Sequence, residues 1–127
     1  MTQIFDLDVV IPFLPTSVNA LYRWGKGHMY KTQAAKEWAK DAALIIGAAN
    51  QGQEWTGYWL ELTLDICLPN LAWRDLDNCA KLTLDVLSAK LGFDDRYILS
   101  LHLHKWPTEE KLRIRLKKLC PLKGMNE

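Results

Sequence analysis

The clearest alternation in the chain runs from Tyr58 to Leu68. Tyr58, Leu60, Leu62, Leu64, Ile66 and Leu68 fall on one side, and Glu61, Thr63 and Asp65 on the other. A period of two is the mark of a strand with one face against a core. The stretch from Ile4 to Phe13 repeats it, with Phe5, Leu7, Val9 and Ile11 opposite Asp6 and Asp8, and Pro12 and Pro15 close it. Tyr97, Leu99, Leu101 and Leu103 alternate with Ile98, Ser100, His102 and His104, and Leu112, Ile114 and Leu116 alternate with Lys111, Arg113, Arg115 and Lys117. Two segments change to the helical period. From Gln33 to Ala49, Trp38, Ala42, Ile45 and Ile46 form a stripe, with Thr32 as N-cap and Asn50-Gln51-Gly52 as the stop. Inside Arg74–Asp95, Leu82, Val86 and Ala89 lie on one side and Leu84, Leu87 and Leu91 near another. The order β, α, β, α, β, β predicts one α+β domain over residues 1–127. Its sheet is antiparallel or mixed, with about four strands and two main helices.

The polar segments refine this picture. Pro15-Thr16-Ser17-Val18-Asn19 predicts a turn, and Gly25-Lys26-Gly27-His28 a basic loop or hairpin tip that could equally wrap a phosphate backbone or sit idle in solvent. The formal charge is only +1, so the distribution says more than the sum. Cations gather early (Arg23, Lys26, Lys31, Lys36, Lys40) and late (Lys111 to Lys123), and carboxylates gather between Glu54 and Asp95. Basic flanks around an acidic centre suit a protein that holds phosphates with cations and a metal with carboxylates. Cys67, Cys79 and Cys120 are odd in number and scattered, which argues for reduced thiols and a cytoplasmic protein. No segment reaches membrane-spanning length.

The segment that carries chemistry reads RDLDNCAKLTLDVLSAKLGFDD. Asp75 and Asp77, with Asn78, stand at the start of its helix, at the exit of the best strand. Lys81 follows, and Asp94-Asp95 stands beyond its end. A helix of about 14 residues spans about 21 Å, so the two acidic ends meet only if the next strand brings one back or a partner chain supplies it. Converging carboxylates call for a proton or a cation between them, and their oxygens suit Mg²⁺. The bland alternative is that Asp and Asn cap the helix, that Asp94-Asp95 is a surface turn, and that Lys81 merely pairs with Asp77 one turn away. A cap needs one of these residues, not all. His102 and His104 share a strand face, where half-exposure explains them more cheaply than metal binding. The cationic strand face Lys111–Lys117 reads as a basic edge that resists aggregation, with phosphate tracking as the rival use.

Arg74-Asp75-Leu76-Asp77-Asn78, Lys81 and Gly92-Phe93-Asp94-Asp95 together resemble the RusA family of Holliday junction resolvases. Pro15, Ser17, Asn19, Tyr22 and Arg23 extend the likeness weakly, and the last two strands follow its pattern. The resemblance implies a homodimeric endodeoxyribonuclease that resolves four-way DNA junctions by paired symmetric nicks in recombination and repair. It implies Mg²⁺ as cofactor (Mn²⁺ as a substitute), and no small-molecule cofactor or membrane partner. By the same resemblance Asp75, Asp77 and Asp95 hold the metal, Lys81 is the essential basic residue, and Asp94 and Asn78 stand as a further ligand or outer contact. Arg74, Arg23, Lys26 and Lys31 are the candidate contacts to DNA. The alternatives are a junction-binding protein that does not cut, and a phosphoesterase acting on flaps.

Overall fold

The computed structural model describes residues 4–15, 22–25, 28–31, 33–74, 76–77 and 79–124. Its elements are β1 (Leu7–Ile11), β2 (Tyr22–Gly25), β3 (His28–Lys31), α1 (Gln33–Asn50), β4 (Tyr58–Cys67), α2 (Ala80–Leu91), β5 (Ile98–Trp106) and β6 (Lys111–Pro121). The polar turn expected at residues 16–19, the Thr32 cap and Lys26 lie outside the described residues. The basic stretch around residue 26 joins β2 and β3, a two-stranded antiparallel hairpin.

The main sheet has the order β1-β6-β4-β5. β6 is antiparallel to both β1 and β4, while β5 is parallel to β4. The sheet is therefore mixed, one of the two forms expected. β1, β4 and β5 share one direction, so β1–α1–β4 and β4–α2–β5 are both crossover connections. Both helices pack on the face that carries Leu60, Leu62, Leu64 and Ile66. There Trp38, Ala42 and Ile46 of α1 and Leu82, Val86 and Leu87 of α2 complete a single core. Each of the buried Leu, Ile and Val side chains contributes about 1.5–3 kcal/mol by leaving water. Trp55 caps one end of this core and is fully buried.

Three expectations are corrected here. β6 is an interior strand, not an edge, because its alternation lets β1 and β4 pair on both sides. Its cations do not simply face solvent. Arg113 forms two hydrogen bonds to Asp8, at 2.9 and 2.7 Å, and Arg115 donates to Asp65 at 2.6 Å. Asp65 and Thr63, expected outside, are buried on the sheet face away from the helices. Asp65 tolerates this because both of its oxygens are engaged, the second by the indole N–H of Trp106 at 3.0 Å. The edges are instead β1 and β5, and on β5 Leu99 and Leu101 are exposed.

The Arg113 guanidinium holds the Asp8 carboxyl below its ordinary range, chiefly through their hydrogen bonds and against the opposing effect of partial burial. A carboxyl lowered on folding adds stability above its unfolded pKa of about 3.9 and loses that contribution as pH falls through the folded value. Asp8→Asn is therefore expected to destabilise the protein at pH 7 by up to about 1 kcal/mol, since the pair is largely exposed. The gap should close as urea unfolding is repeated below about pH 4. A gap that is independent of pH would show that the ion pair does not tie β1 to β6.

Candidate active site

Helix α2 is the frame of the site. It starts later than the sequence suggests: Cys79 is its N-cap and Ala80 its first residue. Asp77 lies in the preceding turn, where its carbonyl accepts the Ala80 N–H at 3.2 Å. Side chains of Asp and Asn bond readily to nearby backbone and so favour such turns over helix interior. Asp77 and Lys81 thus do not share a helix face. Lys81 reaches forward instead, to Asp85 at 4.0 Å, an exposed pair worth about 0.3–0.5 kcal/mol. The Cys79 side chain makes no capping hydrogen bond. The carboxylate of Asp77 is exposed and engages no partner among the described residues. Asp75 and Asn78 lie outside them.

At the far end Gly92 closes α2 with φ +78°, its N–H bonded to the Ser88 carbonyl at 2.9 Å. A left-handed residue at this position is most easily glycine. Phe93 then turns into the core, and this buried anchor leaves Asp94 and Asp95 on the surface. The two carboxylates differ. Asp94 accepts the Arg96 N–H at 3.0 Å and caps the short 3₁₀ turn Asp95–Tyr97, and Arg96 Nε stands 3.4 Å from its other oxygen. The Asp95 side chain is exposed and has no such engagement among the described residues. The capping reading therefore describes Asp94 but not Asp95.

The twelve residues of α2 separate these ends by about 18 Å. β5 does run back along the helix, but Asp95 stands at its beginning, so the strand does not carry that carboxylate toward Asp77. Among the described residues no three ligating side chains gather around one point.

The segment 69–79 is held at several places. Asn70 caps its 3₁₀ turn through the Ala72 N–H at 3.0 Å, and Lys105 donates to the Leu71 carbonyl at 2.8 Å. Arg74 is half-buried and turned inward. Its Nη1 donates to the Pro15 carbonyl and lies 3.6 Å from the Cys79 sulfur. It clasps the exit of β1 to the start of α2, a role the sequence did not announce beside its expected DNA contact. Arg23 and Lys31 stand on β2 and β3, and their side chains lie outside the description, as does all of Lys26. His102 Nε2 lies 3.2 Å from Glu61 and 2.9 Å from the Ser100 hydroxyl. Both neighbours share one ring nitrogen, so the trio lacks the relay of a nucleophilic triad.

Exposed carboxylates thus stand beyond both ends of a crossover helix, with a lysine in its first turn. A family model for the endodeoxyribonuclease RusA matches residues 12–117, a span that contains every one of these groups. No curated protein matches the chain. The chain belongs to the RusA family of endodeoxyribonucleases, a Holliday junction resolvase family. Among the described residues no helix is long and apolar enough to cross a membrane.

Burial pushes the Cys79 thiol up, against the opposing pull of Arg74, so at neutral pH it stays protonated and unreactive. In the native protein Cys79 is expected to resist iodoacetamide. Arg74→Ala should open the clasp and speed its labelling roughly tenfold. Labelling of Cys79 at the same rate in both proteins would remove Arg74 as the fastener of this segment.

Proposed function

We propose that this protein is a metal-dependent endonuclease that nicks four-way DNA junctions in pairs, as a homodimer in the cytoplasm, during recombination and repair. Membership of the RusA family supports the junction as substrate. The observation that carries the rest is the pair of exposed, unengaged carboxylates, Asp77 and Asp95, at opposite ends of α2.

Among the described residues neither end gathers three ligating side chains. A copy of the chain laid antiparallel beside α2 would set the start of one helix next to the end of the other. Asp75 and Asp77 of one subunit would then share a metal with Asp95 of its partner. Such a donor set is all hard oxygen and fits Mg²⁺, with Mn²⁺ as a substitute. The exposed edge of β5, with Leu99 and Leu101 uncovered, suits the seam. An open strand edge of this kind is a template for a second strand. A two-fold dimer would present two equivalent sites to a substrate that is itself two-fold symmetric.

When bound, the metal would polarise the phosphate and lower the pKa of a water that attacks it. The remaining work falls to the chain's own groups. Lys81 is a compact cation in the first turn of α2, tethered only weakly to Asp85, so it is free to turn to a phosphate held at the helix N-terminus, where backbone N–H groups also favour anions. Arg74 keeps the loop bearing Asp75 and Asp77 in place from behind. Asp94 fixes the turn that displays Asp95, and Asn78 stands as an outer contact. Arg23, Lys26 and Lys31 of the hairpin would hold the DNA backbone.

The test uses a labelled four-way junction and a linear duplex of the same sequence, each with Mg²⁺ and with EDTA. Wild type should nick only the junction, in symmetric pairs, and only with metal. Asp77→Asn should bind the junction within about threefold of wild type and lower the nicking rate at least about a hundredfold, an order typical for loss of a group that stabilises the transition state. Binding without nicks under any divalent ion would replace this reading with that of a junction-binding protein. Cleavage of flaps in preference to junctions would replace it with a flap nuclease.

A further inference from the structure

The sheet face away from the helices carries a groove that the proposed metal chemistry does not use. It encloses about 710 Å³ between β1, the end of β4, the end of β5 and the start of β6. That is within the range of clefts that take a small ligand, about 300–1,000 Å³. Its wall is Trp106, exposed over 49% of its surface, and its floor includes Arg113, Arg115 and Lys111.

The electrostatics of this groove are already settled by its own residues. Asp8 is taken up by Arg113, and Asp65 by Arg115 and Trp106. Three cations against two carboxylates leave a net charge of 3 − 2 = +1. That excess charge is carried by Lys111, which has no ion-pair partner among the described residues. The Trp106 ring is fixed. Its N–H is bound to the buried Asp65, which Arg115 holds from the other side, and the Arg115 guanidinium lies 5.0 Å from the centre of the Phe5 ring. An exposed aromatic surface that cannot turn away is a ready stacking platform, and a nearby cation suits the phosphate of whatever stacks there.

The position matters as much as the chemistry. The Trp106 carbonyl accepts the Leu68 N–H at 3.1 Å, and Lys105 reaches Leu71. The groove therefore opens at the end of the sheet from which the segment bearing Asp77 departs.

We propose that this groove binds an unpaired DNA nucleotide, its base stacked on Trp106 and its phosphate at Lys111, as a subsite for the branch point of the substrate. The inference deepens the endonuclease reading and rests on it for the identity of the substrate. Bases at a branch are the cheapest to unstack, so the subsite would select branched over linear DNA on the face opposite the scissile phosphate.

The experiment measures binding in EDTA by anisotropy. The probes are a labelled hexathymidylate, a four-way junction with 2-aminopurine at the branch, a linear duplex and thymidine monophosphate as competitor. Trp106→Leu should weaken hexathymidylate and junction binding roughly tenfold, the scale of one stacked base, while Trp106→Phe stays within about threefold. Duplex binding should not change. Should Trp106→Leu fail to fold by circular dichroism, Lys111→Gln decides: it should flatten the salt dependence of hexathymidylate binding by about 0.7 in log–log slope. Folded Trp106→Leu that binds like wild type, or a Lys111→Gln protein with an unchanged slope, overturns the proposal. Competition by the monophosphate at the affinity of the hexamer overturns it too, since the groove would then be a free-nucleotide site. Nicking of the junction in Mg²⁺ is measured separately. Wild-type protein that never nicks but binds hexathymidylate through Trp106 would sink the endonuclease reading and leave the subsite standing.

Discussion

Helix α2 acts as a rigid spacer, and the rest of the molecule is arranged by it. It is locked on one side by β4 and β5, which are parallel and therefore need a crossover between them, and on the other by α1. Leu82, Val86, Leu87 and Leu91 bury its inner face, so its ends cannot approach one another. Whatever the chain places before Ala80 and after Leu91 stays about 18 Å apart. Asp77 and Asp95 are exposed and engage no partner among the described residues, since Cys79 rather than an acid is the N-cap and Asp94 rather than Asp95 caps the following turn. Geometry thus keeps Asp77 and Asp95 apart within one subunit, and the composite site proposed above joins them through a second.

The open face of the sheet meets a different constraint. A two-layer domain leaves one sheet face uncovered, and here it is sealed with charge rather than with apolar side chains. Asp65 is buried between Arg115 and Trp106, and Asp8 grips Arg113 across the β1–β6 pair. Removing one member of the buried Arg115–Asp65 pair would leave the other unpaired, at a cost of about 3–5 kcal/mol, whereas the exposed Asp8–Arg113 pair contributes less. These contacts also hold Trp106 and the arginines still, which makes a groove of fixed shape from groups that would otherwise be mobile.

Much of the fold was legible from the chain alone. Alternation located β1, β4, β5 and β6 within a few residues, and the helical stripes located α1 and α2, because burial against one core imposes those periods. Strand order was not legible. Nothing in Lys111–Lys117 says that β6 will lie between β1 and β4, so a strand with four cations looked like an edge. The partners that neutralise Arg113 and Arg115, Asp8 and Asp65, are distant in sequence and visible only once the register is known. The late start of α2 was hidden for a local reason, since Asp-Leu-Asp-Asn can begin a helix or a turn equally well. The acidic residues before and after α2 were legible in the motif; which member of Asp94-Asp95 is structurally engaged became clear only from its backbone contact. Asp75 and Asn78 lie outside the described residues, and their part in the site stands on the motif alone.

The most direct test of the composite site is subunit mixing. Asp77→Asn and Asp95→Asn proteins, each unable to nick the junction, are unfolded together, refolded and assayed with Mg²⁺. If each site draws Asp77 from one subunit and Asp95 from the other, the mixed dimer contains one wholly wild-type site and one doubly mutated site. Nicking should then return in one strand of the junction, at about half the wild-type rate for the mixed species, with equal mixing making about half of all dimers mixed. If both carboxylates act within one subunit, every site in the mixture carries a mutation. Activity that stays at the level of the separate mutants, with mixed dimers verified by mass, would contradict a site shared across the two-fold axis.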